Sequence, residues 1–292
     1  MDLAKFKYPV EQTDPPRSPR ETLPTMYDLP SEDPEEPGLP DEFHDLQPQL
    51  LSATVRLTGY APDQIFTGTD INLYYDIRHP LWHKRPDWFL VAGVPRLYDE
   101  TDLRLSYVIW QEGISPVVVV ELLSPGTEDE DLGRTEREPG KPPTKWEVYE
   151  QILRIPYYVL FNRYTNELKA FALNGRHYQE MELSDSKVWM PDLNCGLGLW
   201  QGTFQGITRL WLRWYDVDGN WIATEAEAAQ QEALAARKQA AAERQRAEAE
   251  RQRAEAERQR AEAERQRAEQ AATELAALRQ RLRDRGIDPS EL

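Results

Sequence analysis

Four consecutive valines, Val117–Val120, run straight into Glu121 and then Leu122-Leu123. An unbroken β-branched run of this length is the pattern of a central strand buried on both faces, which requires layers above and below a sheet. The run therefore predicts an α/β architecture and places a carboxylate at the C-terminal end of the most buried strand. An acid in that position is seldom fully buried unless it is paired or bound to a metal.

The neighbouring segments extend the pattern. Arg85-Pro86-Asp87 leads into Trp88–Val91, a second expected strand entered through a proline, and Asp70–Tyr75 alternates as a half-buried strand would. Leu103–Trp110 is expected to pair with these strands. Thr144-Lys145-Trp146-Glu147 has the form of a capping box, so a helix should run from Lys145 to Arg154 and stop before Pro156. Tyr157–Phe161 and Glu167–Leu173 read as strands joined by a turn at Arg163–Asn166, and Trp211–Ile222 as a final hairpin turning at Asp218-Gly219.

Composition changes abruptly at both ends. Residues 1–48 contain 10 of the 22 prolines and clusters of acids, the make-up of an extended arm. From residue 223 to 292 the chain is dominated by Ala, Glu, Arg and Gln, and Glu243-Arg-Gln-Arg-Ala-Glu-Ala249 recurs from Glu250 and Glu257. That repeat predicts a long charged helix. Its heptad seam is alanine from position 226 to 268 and leucine at 275 and 282. The second row carries Glu250, Glu257 and Glu264, so the helix is expected to be exposed, with weak self-association through Leu275, Leu278 and Leu282. One domain over residues 49–222 remains.

The net charge of −16 lies outside the tail, where 14 basic residues nearly balance 15 acidic ones. An acidic domain argues against broad phosphate binding, though a cluster of metal-binding carboxylates adds negative charge of its own. The single cysteine, Cys195, excludes an intramolecular disulfide, and neither a membrane-length apolar run nor a signal-peptide pattern is present. A cytoplasmic protein with no membrane contact is the expectation.

Asp87 and Glu121, brought to one sheet edge, offer hard oxygen ligands of the type that Mg²⁺ or Mn²⁺ prefers. A phosphodiester hydrolase needs such a cation, together with a lysine to orient or stabilise the attacking water. In the simplest motif, Pro-Asp followed later by Glu-x-Lys, the third position would be lysine, and here it is Leu123. Lys145 is the candidate replacement, with Tyr149 one helical turn later on the same face. Asp70 and Asp76 are secondary candidates for a further ligand. His79 and His83 lack the helix and glutamate of a zinc protease, and Asp216–Gly219 lacks the distal glutamate of a calcium loop.

Arg85–Val91, Val117–Pro125, Lys145 with Tyr149, and Ile155–Leu160 resemble the motifs of the Uma-type family of bacterial restriction endonucleases, within the wider PD-(D/E)xK nuclease superfamily. The resemblance implies a restriction-endonuclease-like mixed sheet flanked by helices and metal-dependent cleavage of DNA. It implies Lys145 as the catalytic lysine on the helix; Asp87 and Glu121, with the Leu122 backbone carbonyl, are the metal ligands expected beside it. Two rival functions fit the same residues: a nuclease fold that binds nucleic acid or regulates without cutting, and a scaffold that acts through its C-terminal helix; a homodimer through the domain or that helix is the expected assembly.

Overall fold

The computed structural model describes residues 14–15, 41–124, 128–138 and 140–286. The chain divides into two compact units, Met1–Thr224 and Glu225–Leu292.

The first described helix, α1 (Glu42–Thr54), begins inside the stretch expected to be an extended arm. The rest of that arm, apart from Asp14, Pro15 and Asp41, lies outside the described residues. The reason for the shift is visible in α1 itself. Asp41 caps it by accepting from the His44 N–H, and Phe43, Gln47, Leu50 and Leu51 form a buried face at helical spacing. Pro48 sits within the helix, where it removes one hydrogen bond. The helix is tied to β12 (Ile207–Tyr215) by Gln47, whose side-chain amide both donates to the Leu212 carbonyl (2.7 Å) and accepts from the Leu212 N–H (2.9 Å).

Six strands form the main sheet: β1 (Ile65–Gly68), β4 (Trp88–Ala92), β6 (Val118–Leu122), β7 (Tyr157–Asn162), β8 (Glu167–Asn174) and β9 (His177–Glu180). They lie side by side in that order, all antiparallel except for the parallel pair β6–β7. The valine strand is central, and every residue from Val118 to Leu122 is buried. A parallel neighbour requires a crossover. Here it contains a short helix α3 (Glu128–Asp131) and the capped helix α4 (Lys145–Glu147), whose Thr144 and Glu147 exchange the two hydrogen bonds of the capping box.

The expected regular helix to Arg154 is instead a single α-turn followed by a π-turn over Val148–Ile152, with the Leu153 N–H donating to the Val148 carbonyl at 2.8 Å. Such a turn holds one extra residue and re-aims the side chains around it.

Each face of the sheet packs a separate core. Trp88, Leu90, Val118, Val120 and Leu122 meet α1 and a second sheet of β10 (Lys187–Met190), β11 (Cys195–Phe204) and β12 (Ile207–Tyr215). Phe89, Val91, Val119 and Leu123 meet Val148 and Tyr149 and a small sheet of β2 (Leu73–Tyr74), β3 (His83–Lys84) and β5 (Tyr107–Val108).

Three strand expectations need correction. The half-buried strand over Asp70–Tyr75 shortens to β2, because Asp70 has a left-handed backbone (φ 51°) that interrupts extended geometry. Leu103–Trp110 contributes only β5 before turning into a helical turn, α2 (Ile109–Glu112). The last hairpin turns at Gln205-Gly206 between β11 and β12; Asp218-Gly219 lies in a smaller turn closed by a bridge between Tyr215 and Trp221.

The second unit is one helix, α5 (Glu225–Asp284), 60 residues long with no buried residue. Leu275 and Leu278 are exposed. Among the described residues no helix is long and apolar enough to cross a membrane.

Candidate active site

Strand register brings the two motif acids together. In the antiparallel pair β4–β6, Trp88 faces Val120, so one step further Asp87 stands opposite Glu121. Alternation puts both on the face that packs against α4. The pair lies toward the middle of the sheet, beneath the crossover, and not at the sheet edge that the sequence suggested. Like charges directly opposite one another destabilise a ladder, so something else must hold them.

Backbone amides do part of this. Asp87 Oδ2 accepts from the Leu122 N–H at 2.6 Å, and Glu121 Oε2 accepts from the Asp87 N–H at 3.3 Å. Lys145 supplies the counter-charge, its Nζ lying 3.2 Å from Glu121 Oε2. Tyr149, presented by the π-turn, donates its hydroxyl to Glu121 Oε1 at 2.9 Å. All four residues singled out in the two strands and the helix thus converge. Glu121 is completely buried, whereas Asp87 is partly exposed where a cleft of about 390 Å³ reaches the site.

Two further residues complete the cluster, and sequence reasoning missed both. Asp131, buried at the end of α3, meets Lys145 Nζ at 2.6 Å, closer than Glu121 does. Its carbonyl accepts from the Tyr158 hydroxyl at 2.9 Å. It is the last of four consecutive acids, and nothing in that run separates an inward-facing aspartate from its exposed neighbours. His44 on α1 reaches the Leu122 carbonyl, the expected backbone ligand, with Nε2 at 3.0 Å, while its Nδ1 is 2.9 Å from Asp41 Oδ1. A lone histidine in an acidic helix gives no sequence signal for such a role.

The secondary candidates part company. Asp70 lines the cleft with Asp87 and His44, its carboxylate 2.7 Å from the Arg85 guanidinium. Asp76 is not brought to the site; it binds Arg78 and His79 in the loop between β2 and β3.

The electrostatics follow from crowding. Burial, followed by the charges of Asp131 and Asp87, pushes the Glu121 carboxyl well above its usual range, even though Lys145 pulls the other way. Burial also raises Asp87, against the opposing pull of Lys145 and His44. Burial works against a charged Lys145, yet Glu121, Asp131 and Asp87 together hold the ammonium above its ordinary value. His44 is likewise raised: its loss of solvation is outweighed by Asp41 and by the charge of Asp87. Three carboxylates around one ammonium leave an excess of negative charge in a poorly solvated place.

Asp41 behaves in the opposite sense. Burial would raise it, but hydrogen bonds from the His44 ring and backbone and the charges of His44 and Arg163 bring it down to about 2. A depressed carboxyl contributes stability above its unfolded value of 3.8 and loses it as pH falls toward 2. Asp41→Asn keeps a capping side chain and discards the charge. The stability gap between wild type and this variant is expected to be at most about 1 kcal/mol after solvent screening between about pH 4 and the ordinary histidine range, to close by about pH 2, and to narrow as pH rises through the raised His44 value. Urea denaturation across that range measures it; a gap that persists at pH 2 contradicts the assignment.

Oxygen donors, a main-chain carbonyl and unbalanced negative charge suit a hard divalent cation. Among the described residues no cluster of three or more His, Cys, Asp or Glu side chains is arranged to hold a metal, so any such ion would rest on two carboxylates and the carbonyl. No curated protein matches the chain. The profile of the Uma2 family, described as "Putative restriction endonuclease", matches residues 17–203, a span that holds β1 to β10, Asp87, Glu121, Lys145 and Tyr149. With more than half of its length and the whole of the clustered site inside that match, the chain belongs to the Uma2 family.

Proposed function

We propose that the protein is a metal-dependent endonuclease that hydrolyses phosphodiester bonds in DNA with Mg²⁺ or Mn²⁺. The observation that carries this reading is the meeting of Asp87, Glu121, Lys145 and Tyr149 around one buried point at the end of a solvent cleft. Asp87, Glu121 and the Leu122 carbonyl would hold the cation, which when bound polarises the scissile phosphate and acidifies an attacking water. The protein's own groups have separate tasks. Lys145 carries a firmly held positive charge toward the developing negative charge of the phosphate. Tyr149 fixes the orientation of the Glu121 carboxylate, and the backbone amides of Asp87 and Leu122 keep the two acids in register.

The test is cleavage of supercoiled plasmid by the purified chain with Mg²⁺ or Mn²⁺. Asp87→Ala is expected to lower the rate by at least about 10²-fold, in the range seen when one transition-state-stabilising group is lost. Undiminished cleavage by that variant removes the assignment.

A second reading, a nuclease fold that binds nucleic acid without cutting, is favoured by the tight engagement of Lys145 with Asp131, which competes with any role at a substrate. DNA binding that needs Asp87, with no cleavage by the wild-type chain under either cation, would select it.

A further inference from the structure

The eight residues from Arg78 to Lys84-Arg85 form the one stretch of the acidic domain where three Lys or Arg and two His occur without an intervening acid. They belong to the tip and returning strand of the β2–β3 hairpin, and Arg85 is two residues from Asp87.

That tip is built, not frayed. Asp76 Oδ1 accepts from the Arg78 N–H at 3.0 Å, its Oδ2 meets His79 Nδ1 at 2.8 Å, and its carbonyl accepts from the His79 N–H at 3.0 Å. The Trp82 N–H donates to the His79 carbonyl at 2.8 Å, and the two rings stack with centroids 3.8 Å apart and planes at 7°. On this ordered frame Leu81 is 82% and Ile77 66% exposed, and the Arg78 side chain projects with 83% of its surface free. A single exposed leucine needs no explanation. Two apolar side chains held out by a network of hydrogen bonds, with an arginine between them in sequence, are another matter.

The hairpin is also wired to the site. Lys84 Nζ lies 2.8 Å from Glu130 Oε1, and the same oxygen accepts from the Lys145 N–H at 3.1 Å. Leu81 and Asp87 are six residue steps apart in the chain, a reach of at most ~20 Å, or roughly six nucleotide steps of duplex.

Resting on the nuclease reading above, we infer that the β2–β3 tip is the arm by which this protein grips duplex DNA beside the scissile phosphate. Arg78 contacts backbone phosphate, and Ile77 and Leu81 press as a wedge against the groove and base edges, as apolar wedges of groove-binding proteins do. Lys84 and Arg85 are held by Glu130 and Asp70, so the charge the tip offers a polyanion is that of the projecting Arg78, which shares the Asp76 carboxylate with His79. Asp76, set aside as a ligand, then has its role in shaping that element.

The experiment uses the full chain and a fluorescein-labelled 30-base-pair duplex, read by anisotropy with Ca²⁺ and with EDTA. Ile77→Ser/Leu81→Ser is expected to raise the Kd at least five-fold with an unchanged melting temperature. Arg78→Ala is expected to reduce the slope of log Kd against log salt by about one. A duplex carrying 2-aminopurine near the bound site should brighten with wild type and not with the double variant. Affinities within two-fold of wild type overturn the inference, and if wild type still cuts plasmid the nuclease reading stands without it. A wild-type chain that neither binds nor cuts overturns both. Sedimentation in which the double variant changes oligomeric state while DNA affinity holds assigns the tip to protein contact and also overturns it.

Discussion

Glu121→Gln is expected to abolish metal-dependent cleavage and, in EDTA, to make the protein more stable than wild type. The two effects share one cause. In the metal-free site three carboxylates crowd one ammonium, and burial together with Asp131 and Asp87 makes the charged form of Glu121 unfavourable. Removing that charge leaves the Lys145–Asp131 pair intact. The new amide can also be satisfied: its oxygen turns toward Lys145 and the Asp87 N–H, and its NH₂ toward the Tyr149 oxygen, which can accept. Relief of an uncompensated buried charge should contribute about 1–2 kcal/mol, which for a domain of this size raises the melting temperature by roughly 2–4 °C per kcal/mol. On the metal-dependent reading proposed above, saturating Mg²⁺ should reverse the order, since the wild-type carboxylate would hold a cation that the variant would hold poorly. Differential scanning calorimetry with and without the cation decides it. A variant less stable than wild type in EDTA would show that Glu121 is a structural ion-pair partner and not a strained site residue.

Lys145→Met should do the reverse. The methionine fills the volume of the aliphatic stem but removes the ammonium from beside the buried Glu121 and Asp131 carboxylates. Breaking one side of a buried pair typically costs 3–5 kcal/mol, so a fall of about 6–20 °C in melting temperature is expected near neutral pH. The sign of its pH dependence is fixed by Glu121. A carboxyl whose folded pKa is raised favours the folded state below its unfolded value and withdraws that support as pH rises through the folded value. The penalty in Lys145→Met should therefore shrink as the solution is acidified toward the ordinary glutamate range, while the wild-type curve stays flatter there. Thermal melts of both proteins at several pH values test this; a penalty independent of pH would place its origin in packing.

The parts of the fold that could be read in advance are those where one face or one cap dominates. Val117–Val120 identified the central strand, Trp88–Val91 its neighbour, and Thr144 with Glu147 the start of the helix that carries Lys145. Strand β11 was hidden because Gly196, Gly198 and Gly202 lie among its apolar residues and look like turn material. Tertiary packing requires them: a Cβ at Gly196 would lie 2.3 Å from the Tyr215 ring, and one at Gly202 1.9 Å from Trp200. With that strand unseen, the long β11–β12 hairpin was not anticipated, whereas the turn at Asp218-Gly219 was, though it is closed by only a short bridge. In the site, the residues contributed by the motif strands and the capped helix were legible. Asp131 and His44 were not, since their importance depends on contacts 14 and 78 residues away in the chain.

The parallel pairing of β6 with β7 also orders events during synthesis. Asp87 and Glu121 leave the ribosome well before Lys145, and their strands can zip together as soon as both are free. At that moment His44 is already available to Asp87, but the ammonium of Lys145 is not. The crossover and β7 must follow before the lysine can be laid over them. A nascent chain paused short of residue 145 is therefore expected to hold the two acids without the ammonium that lies 3.2 Å from Glu121 in the finished fold.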